Sequence, residues 1–582
     1  MMLKDCLEVF EQELKQKGMA LIFDNYIPVD GSYLLVPVKD DGFGEPTIIE
    51  VKQDKKAKEL AARANPKFRD ICRYDFYSKL RDMNKPVDKQ KIIHSNNYCS
   101  FFVKKESLKG GKLTSEGIVN YYDTLKDFSV KYAKKSKSLE LYQAFEEKNG
   151  PVDCTSLEKA KTWILQNIFS LEKWCAIEGK DYLKIFFEFP LAVYEQEFER
   201  YLYPTIYNKN DFNIKTETGI LGLPNQNMSM NDKKPFLENK SRKTKIPYLI
   251  SIKEAILQLE FFEYLLSFAD RREFNIYIDP DTGTIQSYQD GKCPAHFSGY
   301  FLRIQKGKEG AEIHRFDVIS GYYEELSKSF EQNNHLHIKR LEDYPYGSIW
   351  KRREMEDLLE KYLFPFLSNN YFTPAKDVPL KDSIEKQLFV LTRDSLFEWL
   401  YKGNAVLFRG LYDQVVFLLL RNSLLKGNVK KAAHQFNLWL SLKIYFEGGE
   451  NMGDRVNEIK KNLKQKMYAK ETDQIQSDHE YYFVVGQLIY YLFSKSQSKK
   501  IPQSLLNGFL TVKTDRLLKE KLEKLYMKYN YDITIYEKRF NHLYAMATAY
   551  EPGNHIVDRS MLINGFLHSN LFYEKKEEIE NE

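Results

Sequence analysis

The sequence predicts an α+β N-terminal region followed by an all-α helical bundle, and three observations indicate this. From Met19 to Lys52, short apolar runs alternate with Pro, Asp-Gly and Gly turns, which is typical of a small sheet with hairpins. Beyond residue 382, strand signals almost vanish and apolar residues recur at the helical period. A chain of 582 residues is also several times longer than a typical domain, so we expect at least two cores.

The α+β region extends over residues 1–370 in this interpretation. Helical and extended segments mix up to about residue 360. Segment 274–288 alternates apolar and polar residues on both sides of Pro280-Asp281-Thr282-Gly283, which predicts a hairpin with its turn at these four residues.

Residues 371–381 contain Pro374 and Pro379 and are predicted to be a linker to the bundle, residues 382–582. Asp382 with Glu385 is typical of a capping box that opens a helix, and Gly403 is typical of a helix end. Further helices are predicted at about 408–425, 429–446, 453–469, 479–495, 514–529, 534–549 and 557–572.

Composition and missing motifs argue against an enzyme. The sequence contains no GxxxxGK[ST], GxGxxG, GxSxG or HExxH, so nucleotide hydrolysis and common hydrolase chemistry lack support. Six cysteines lie far apart without a CxxC pair, which indicates a reducing compartment and no zinc site. We therefore expect no catalytic residue, no metal and no cofactor.

The chain is expected to be cytoplasmic and to have no membrane partner. Its first eighteen residues form an amphipathic charged pattern that is unlike a signal peptide. Its most apolar stretch, residues 481–494, is uncharged for only fourteen residues, whereas a transmembrane helix needs about eighteen or more.

One catalytic alternative remains open, a metal-dependent nuclease. Asp30, Glu50 and Lys52 fit the outline of a hairpin in which two carboxylates hold Mg²⁺ and a lysine contacts the attacked phosphate. The spacing is loose, and a Glu-x-Lys triplet is common at the edge of a solvent-facing strand. A structural hairpin is the favoured interpretation.

Segment 95–112 combines amide, aromatic and basic side chains, as nucleic-acid sites do. Asn96 and Asn97 could pair with base edges beside Tyr98, Phe101 and Phe102. The basic residues of the segment, which could hold phosphates, are Lys104, Lys105, Lys109 and Lys112. The alternative, favoured by composition alone, is that the phenylalanines belong to the core and the lysines to a solvated loop.

Two further basic patches suit phosphate binding. Segment 231–245 has a local charge of +4 and includes Lys240, Arg242, Lys243 and Lys245. Between residues 452 and 550, seventeen Lys and Arg outnumber eleven Asp and Glu, whereas the whole chain carries only +5. The basic residues on two predicted helices are Arg455, Lys460, Lys461, Lys464 and Lys466 on the first, and Lys513, Arg516, Lys519, Lys521, Lys524 and Lys528 on the second. Ordinary solvated loops and helix faces are the alternative.

Several segments resemble one family. They are IIHSNNYCSFFVKKESL, KKPFLENKSRKTKIPYLIS, and the C-terminal runs EYYFVVGQLIYYLFSKSQSKK, KRFNHLYAMATAYEPG and INGFLHSNLFYEKK. In these segments the chain resembles the large subunit of the type I-B CRISPR interference complex, Cascade, of the Csh type. They come from the beginning, middle and end of the chain, so the resemblance covers most of its length.

The resemblance implies a non-catalytic subunit at the end of the complex that holds the 5′ handle of the crRNA. Such a subunit contacts the handle-binding and backbone subunits, reads the protospacer-adjacent motif (PAM) in double-stranded target DNA, and aids duplex opening and R-loop formation. It also recruits the helicase-nuclease, and its helical bundle follows the displaced strand. A protein-only scaffold with incidental basic patches remains the second alternative.

The resemblance also implies an internal translation start at Met452, which would yield a separate small subunit of residues 452–582. The codons for Glu447, Gly448, Gly449 and Glu450 permit a GGAGG-type ribosome-binding sequence just ahead of that methionine. The two glycines also predict a helix boundary there. An ordinary interhelical turn with purine-rich codons is the alternative.

Overall fold

The computed structural model describes residues 2–40, 42–53, 61–81, 83–176, 178–217, 219–225, 249–307, 310–338, 345–448, 452–469, 473–496, 503–534, 536–553 and 556–574. The chain divides into two compact units, residues 1–292 with 298–319, and residues 293–297 with 320–582. This division lies earlier in the chain than the linker predicted at 371–381. That segment lies inside the second unit, and its apolar residues Val378 and Leu380 are buried there.

The first unit is built on a four-stranded sheet with the order β4-β1-β6-β5. Strand β1 is parallel to β6 and antiparallel to β4, and β5 is antiparallel to β6. All six residues of β1 are buried, as expected for an inner strand. These strands are β1 (Gly31–Val36), β4 (Thr47–Val51), β5 (Ser100–Lys104) and β6 (Tyr182–Phe187), and the short pair β2 (Val38–Lys39) and β3 (Gly42–Phe43) follows β1.

A second sheet in this unit has the order β10-β9-β11-β12. The hairpin predicted at 274–288 is confirmed: β9 and β10 are antiparallel, and Gly283 adopts a φ of +68° in the turn. The strands are β7 (Ile214–Thr216), β8 (Gly219–Leu221), β9 (Asn275–Asp279), β10 (Thr284–Tyr288), β11 (His296–Lys306) and β12 (Ala311–Tyr323).

Helices in the first unit bury aromatic faces against this core. A capping box at Ser251 opens the longest of them, and that helix packs on the N-terminal helix through Phe261 and Phe10, whose ring centroids are 5.3 Å apart. The helices are α1 (Met2–Lys17), α2 (Ala20–Phe23), α3 (Phe68–Ser78), α4 (Lys105–Lys109), α5 (Ser115–Lys126), α6 (Phe128–Tyr132), α7 (Ser136–Asn149), α8 (Cys154–Asn167), α9 (Leu191–Leu202) and α10 (Ile252–Asp270).

The second unit contains the pair β13 (Glu325–Gln332) and β14 (Gly347–Lys351) and is otherwise mostly helical. The predicted fold class, α+β followed by a helical region, is confirmed. The helices are α11 (Arg352–Tyr362), α12 (Ser383–Lys402), α13 (Val406–Arg409), α14 (Tyr412–Leu425), α15 (Val429–Glu447), α16 (Met452–Tyr468), α17 (Asp478–Ser494), α18 (Gln503–Leu510), α19 (Asp515–Tyr529), α20 (Lys538–Ala549) and α21 (Arg559–Leu567).

Helix boundaries in the bundle follow local chemistry. The Asp382 carboxylate accepts a hydrogen bond from the Glu385 N–H (2.7 Å), so the predicted cap of α12 is present. Gly403 ends this helix with a φ of +80°. Helix α15 ends at Glu447, Gly448 has a φ of +79°, and α16 begins at Met452, so the helix boundary predicted there is confirmed.

Helix α17 is the centre of the C-terminal helices. It is apolar on all sides and almost entirely buried, as such a helix must be in water. Gly486 and Gly565 let α17 and α21 approach closely, because a Cβ at Gly486 would lie 2.2 Å from the Leu562 carbonyl oxygen. Within the described residues, no helix has the length and apolarity that crossing a membrane requires.

Candidate nucleic-acid interface

Asn96 and Asn97 are buried, and their amides bond to protein atoms. Asn96 Nδ2 donates to the Lys79 carbonyl (2.9 Å), and Asn97 Nδ2 donates to the Tyr77 carbonyl (3.1 Å) and to Asn96 Oδ1 (2.8 Å). These bonds satisfy carbonyls at the C-terminal end of α3. The prediction that the two amides read base edges is therefore wrong in this structure, because neither reaches the surface.

The neighbouring aromatic residues Tyr98, Phe101 and Phe102 are also buried and belong to the core of the first unit. Lys105 is buried as well, and its ammonium pairs with Asp181 at 2.8 Å, so its predicted contact with phosphate is wrong. The exposed or half-exposed cations that remain in this segment are Lys104, Lys109 and Lys112. Lys109 Nζ lies 3.0 Å from an exposed Glu178 carboxylate.

The basic segment 231–245, with Lys240, Arg242, Lys243 and Lys245, lies outside the described residues. On its two sides, the described residues Gly222 and Ile250 exchange two backbone hydrogen bonds of 2.9 Å each. Its predicted contact with a nucleic-acid backbone stays a prediction.

On α16, Lys460 and Lys464 converge on one carboxylate, that of Glu574. Burial opposes ionisation of Glu574, but hydrogen bonds from both lysines outweigh burial and lower its pKa. The pairing offsets much of the charge that these lysines could offer to phosphate. Lys461 is exposed on the same helix.

The alternative nuclease residues lie at one end of the β1–β4 hairpin. Glu50 accepts a hydrogen bond from Ser32 Oγ (2.6 Å), and Asp30 accepts one from the Gln53 N–H (2.8 Å). Lys52 is exposed. Among the described residues, no three His, Cys, Asp or Glu side chains are grouped as a metal site requires.

Helix α19 and the residues just before it carry a group of exposed cations, which we call the cationic face of α19. The helix buries Leu518, Leu522 and Leu525 at a spacing of three to four residues, which fixes its opposite face in solvent. The cations exposed there are Lys513, two residues before the helix, and Arg516, Lys524 and Lys528 on the helix. Glu520 and Glu523 are also exposed on this helix. Arg516 is 3.7 Å from Glu520, a pair too exposed to remove its charge from the surface.

Three exposed tyrosines near this face were missed by the sequence reasoning. Tyr531 and Tyr536 lie between α19 and α20, and Tyr573 follows α21. Their exposed fractions are 58%, 89% and 60%. Their position in the sequence could have indicated that they are exposed, because Tyr531 and Tyr536 fall in a connection between two helices rather than on a periodic apolar face.

Comparisons with models of protein families, with curated proteins and with solved structures find no match.

Proposed function

We propose that this chain is the non-catalytic large subunit of a type I-B Cascade complex and acts in the cytoplasm. The proposal rests on the resemblance of the three groups of segments and on the order of an α+β region before a helical region. The single observation that carries nucleic-acid binding is the exposed cationic face of α19, defined by Lys513, Arg516, Lys524 and Lys528. Four exposed cations within sixteen residues of the chain suit a phosphate backbone.

In this proposal the first unit meets crRNA and the PAM duplex through its exposed cations. Lys104, Lys109 and Lys112, together with segment 231–245, contact phosphates and so position the DNA, which carries no sequence information by itself. Asn96 and Asn97 have no part in base reading because they are buried. The subunit then aids duplex opening, contacts the backbone and handle-binding subunits and recruits the helicase-nuclease.

The bundle has a second role in the proposal, since residues 452–582 are also made as a separate small subunit. Its first residue, Met452, is the first residue of α16, so the shorter chain begins at a helix boundary. The helices that follow bury their own core around α17. Both forms carry the cationic face of α19 to the displaced strand.

A C-terminal tag on the chain in its native host tests this assignment. The purified material is expected to contain crRNA and two tagged proteins, the full-length chain and a form of about 15.5 kDa, the share of 68.8 kDa that 131 of 582 residues represent. Synonymous codons for residues 447–450 with less purine should remove the short form only. Absence of crRNA contradicts the assignment to Cascade, and absence of the short form from native codons contradicts the internal start.

The contribution of the α19 face is measured by the salt dependence of DNA binding. Changing Lys513, Arg516, Lys524 and Lys528 together to Gln should reduce the slope of log affinity against log salt, by about 0.7 for each single-strand phosphate that the variant no longer neutralises. The matched control changes four exposed lysines of the same unit, Lys376, Lys381, Lys430 and Lys443, and should keep the slope.

The same assay separates the two alternatives. A protein-only scaffold would show no salt-dependent DNA binding before or after these changes. A nuclease would cut labelled DNA when Mg²⁺ is added and would lose that activity on Asp30→Asn or Glu50→Gln.

A further inference from the structure

Three exposed tyrosines of the second unit, Tyr531, Tyr536 and Tyr573, lie near the C-terminal end of α17. Tyr573 and Ser494 share a hydrogen bond of 2.5 Å between their side-chain oxygens, and the Tyr531 hydroxyl donates to the Lys495 carbonyl (3.2 Å). Ser494 and Lys495 are consecutive residues, whose Cα atoms lie about 3.8 Å apart. The two tyrosine hydroxyls are therefore bound to neighbouring residues. We call Tyr531, Tyr536 and Tyr573 the tyrosine cluster.

Tyr536 is connected to the same point through its neighbour, Glu537. The Glu537 carboxylate accepts a hydrogen bond from the Tyr491 hydroxyl and lies 3.5 Å from Lys495 Nζ. Lys495 in turn lies over the Tyr491 ring, 4.9 Å from its centroid. These partly buried groups hold the chain at Glu537, next to Tyr536, whereas Tyr536 itself is 89% exposed.

Tyr531 and Tyr573 are held through their hydroxyl groups, and more than half of each residue stays exposed. The Tyr573 ring lies 5.7 Å from the Tyr491 ring, which also contacts the buried Phe540 and Phe572. Leaving a large aromatic ring in water is unfavourable in free energy, although a single exposed ring is common on protein surfaces. Three such rings near one helix end are a grouping of the kind that marks a binding surface.

The exposed charges around the tyrosine cluster are mostly positive, which favours a polyanion; the exposed Asp532 beside Tyr531 lies 3.6 Å from Lys495 Nζ. Lys528 lies in the last turn of α19, three residues before Tyr531. Lys538 and Arg539 open α20, directly after Glu537, and both are exposed. The cationic face of α19 is therefore next to the tyrosine cluster. A strand whose phosphates bind that face would place its bases near the rings.

From this juxtaposition we infer that the tyrosine cluster binds the unpaired bases of a single-stranded nucleic acid by stacking. Bases in a duplex hide their faces in the helical stack, whereas an unpaired base offers its face to an aromatic side chain. Stacking tolerates every base, so the cluster selects single strands without selecting sequence. The inference rests on the proposed nucleic-acid role of the bundle. It adds that the cluster recognises the exposed faces of unpaired bases.

Fluorescence anisotropy with the full-length chain tests the inference. The probes are a labelled oligo-dT, an abasic oligonucleotide of the same length and a duplex. We expect oligo-dT to bind more tightly than the abasic strand, because both carry the same phosphates but only one can stack. Changing all three tyrosines to Ser should weaken oligo-dT binding at least about five-fold, since the loss of one stacked base by alanine substitution costs about 1–3 kcal/mol.

Two control variants keep the result interpretable. Changing the three tyrosines to Phe retains the rings and loses the hydroxyl bonds of Tyr531 and Tyr573, so this variant should bind oligo-dT more tightly than the Ser variant. Trp350→Leu removes a ring that is 59% exposed on β14, in the same unit, and should leave binding unchanged. Thermal unfolding of each variant shows whether the fold is intact.

Several results would overturn the inference. If the Ser variant binds oligo-dT like wild type, or if wild type binds the abasic strand equally well, the cluster does not stack bases. In either case the cationic face of α19 can still account for salt-dependent binding, so the proposed function survives. Absence of binding to every probe overturns both. Loss of a protein partner from the native complex, with unchanged oligo-dT binding, reassigns the cluster to that partner.

Discussion

Asp75→Ala is expected to lower the free energy of unfolding of the first unit by about 3–5 kcal/mol, the usual cost of breaking a buried ion pair. Asp75 and Lys184 pair deep inside this unit, and both side chains are almost fully buried. Tyr26 donates a hydrogen bond to the second oxygen of Asp75 (2.7 Å). Removing the carboxylate leaves the ammonium without its counter-charge and the tyrosine hydroxyl without its acceptor.

The lysine cannot leave this position by a rotation, because β6 is an inner strand of the sheet. Its ammonium lies 4.6 Å from the Phe102 ring centroid and 5.2 Å from that of Tyr33. Contacts with aromatic rings compensate only part of the free energy that an ammonium group loses when it is buried. Burial lowers the pKa of Lys184 in the fold, and the Asp75 charge opposes that shift. In the Ala variant the opposing charge is gone, so the pKa of Lys184 should fall further.

This shift gives the variant a distinctive pH dependence. A lysine with a depressed pKa in the fold binds fewer protons there than in the unfolded chain, so stability rises with pH until the unfolded lysine titrates near 10.4. Urea unfolding should therefore show that Asp75→Ala is less destabilised at pH 9 than at pH 7. An equal loss at both pH values would mean that Lys184 finds another partner.

The matched comparisons are a double variant and an exposed pair. Asp75→Leu with Lys184→Met removes both charges and should recover most of the stability lost in Asp75→Ala. Lys109→Ala breaks the exposed contact with Glu178 and should change the free energy of unfolding by less than about 1 kcal/mol. A large loss from Lys109→Ala would show that burial does not decide the cost of these pairs.

Much of the bundle follows from local sequence. Its helices begin and end where the sequence places caps and glycines, as at Asp382 and Gly403, because those signals act within a few residues. The hairpin at Gly283 was predictable for the same reason. Helix α18 was missed; it is short and follows directly on a polar segment.

The site residues depended on tertiary placement and were harder to predict. Asn96 and Asn97 resemble base readers by chemistry, yet a buried amide has the same chemistry when it bonds the end of α3. Nothing in the order of residues shows that Asp75 will meet Lys184, 109 residues away. Exposure is likewise a property of the folded chain, which is why Phe101 is buried whereas Tyr536 is exposed.

Acidification below about pH 6.5 is expected to destabilise the second unit through two buried histidines, His434 and His568. Burial, with a smaller effect of Lys361, lowers the pKa of His434 to about 4. Burial, followed by the charges of Lys460 and His337, lowers the pKa of His568 to about 3. Both imidazoles are therefore neutral in the fold at neutral pH.

The contacts of each ring explain why protonation is unfavourable. His434 Nδ1 shares a hydrogen bond with the Tyr346 hydroxyl (2.8 Å), and its ring stacks on Tyr362 with centroids 5.5 Å apart. His568 lies 5.9 Å from the Phe483 ring and shares a hydrogen bond of 3.1 Å with Ser569. A second proton on either ring would put a charge in these apolar surroundings.

The sign of the effect follows from proton counts. Unfolded histidine titrates near 6.5, so between about pH 6.5 and 4 the unfolded chain holds protons that the folded unit lacks, and stability falls as pH falls. Each pH unit in this range costs up to about 1.4 kcal/mol per histidine, which amounts to several kcal/mol for the pair. The stability contributed by the neutral rings is fully present above about pH 6.5.

Urea unfolding of the full chain between pH 7.5 and 4.5, followed by a probe in the bundle, measures this dependence. His434→Gln and His568→Gln should each lower stability at pH 7.5 and flatten the fall toward pH 4.5, because glutamine cannot be protonated. His479→Gln is the matched control: that ring is partly exposed beside Asp558, and the variant should keep the wild-type slope. Since carboxylates titrate mainly below pH 5, a slope between pH 6.5 and 5.5 that persists in the double variant of His434 and His568 would assign the acid sensitivity to other groups, among them the buried His335.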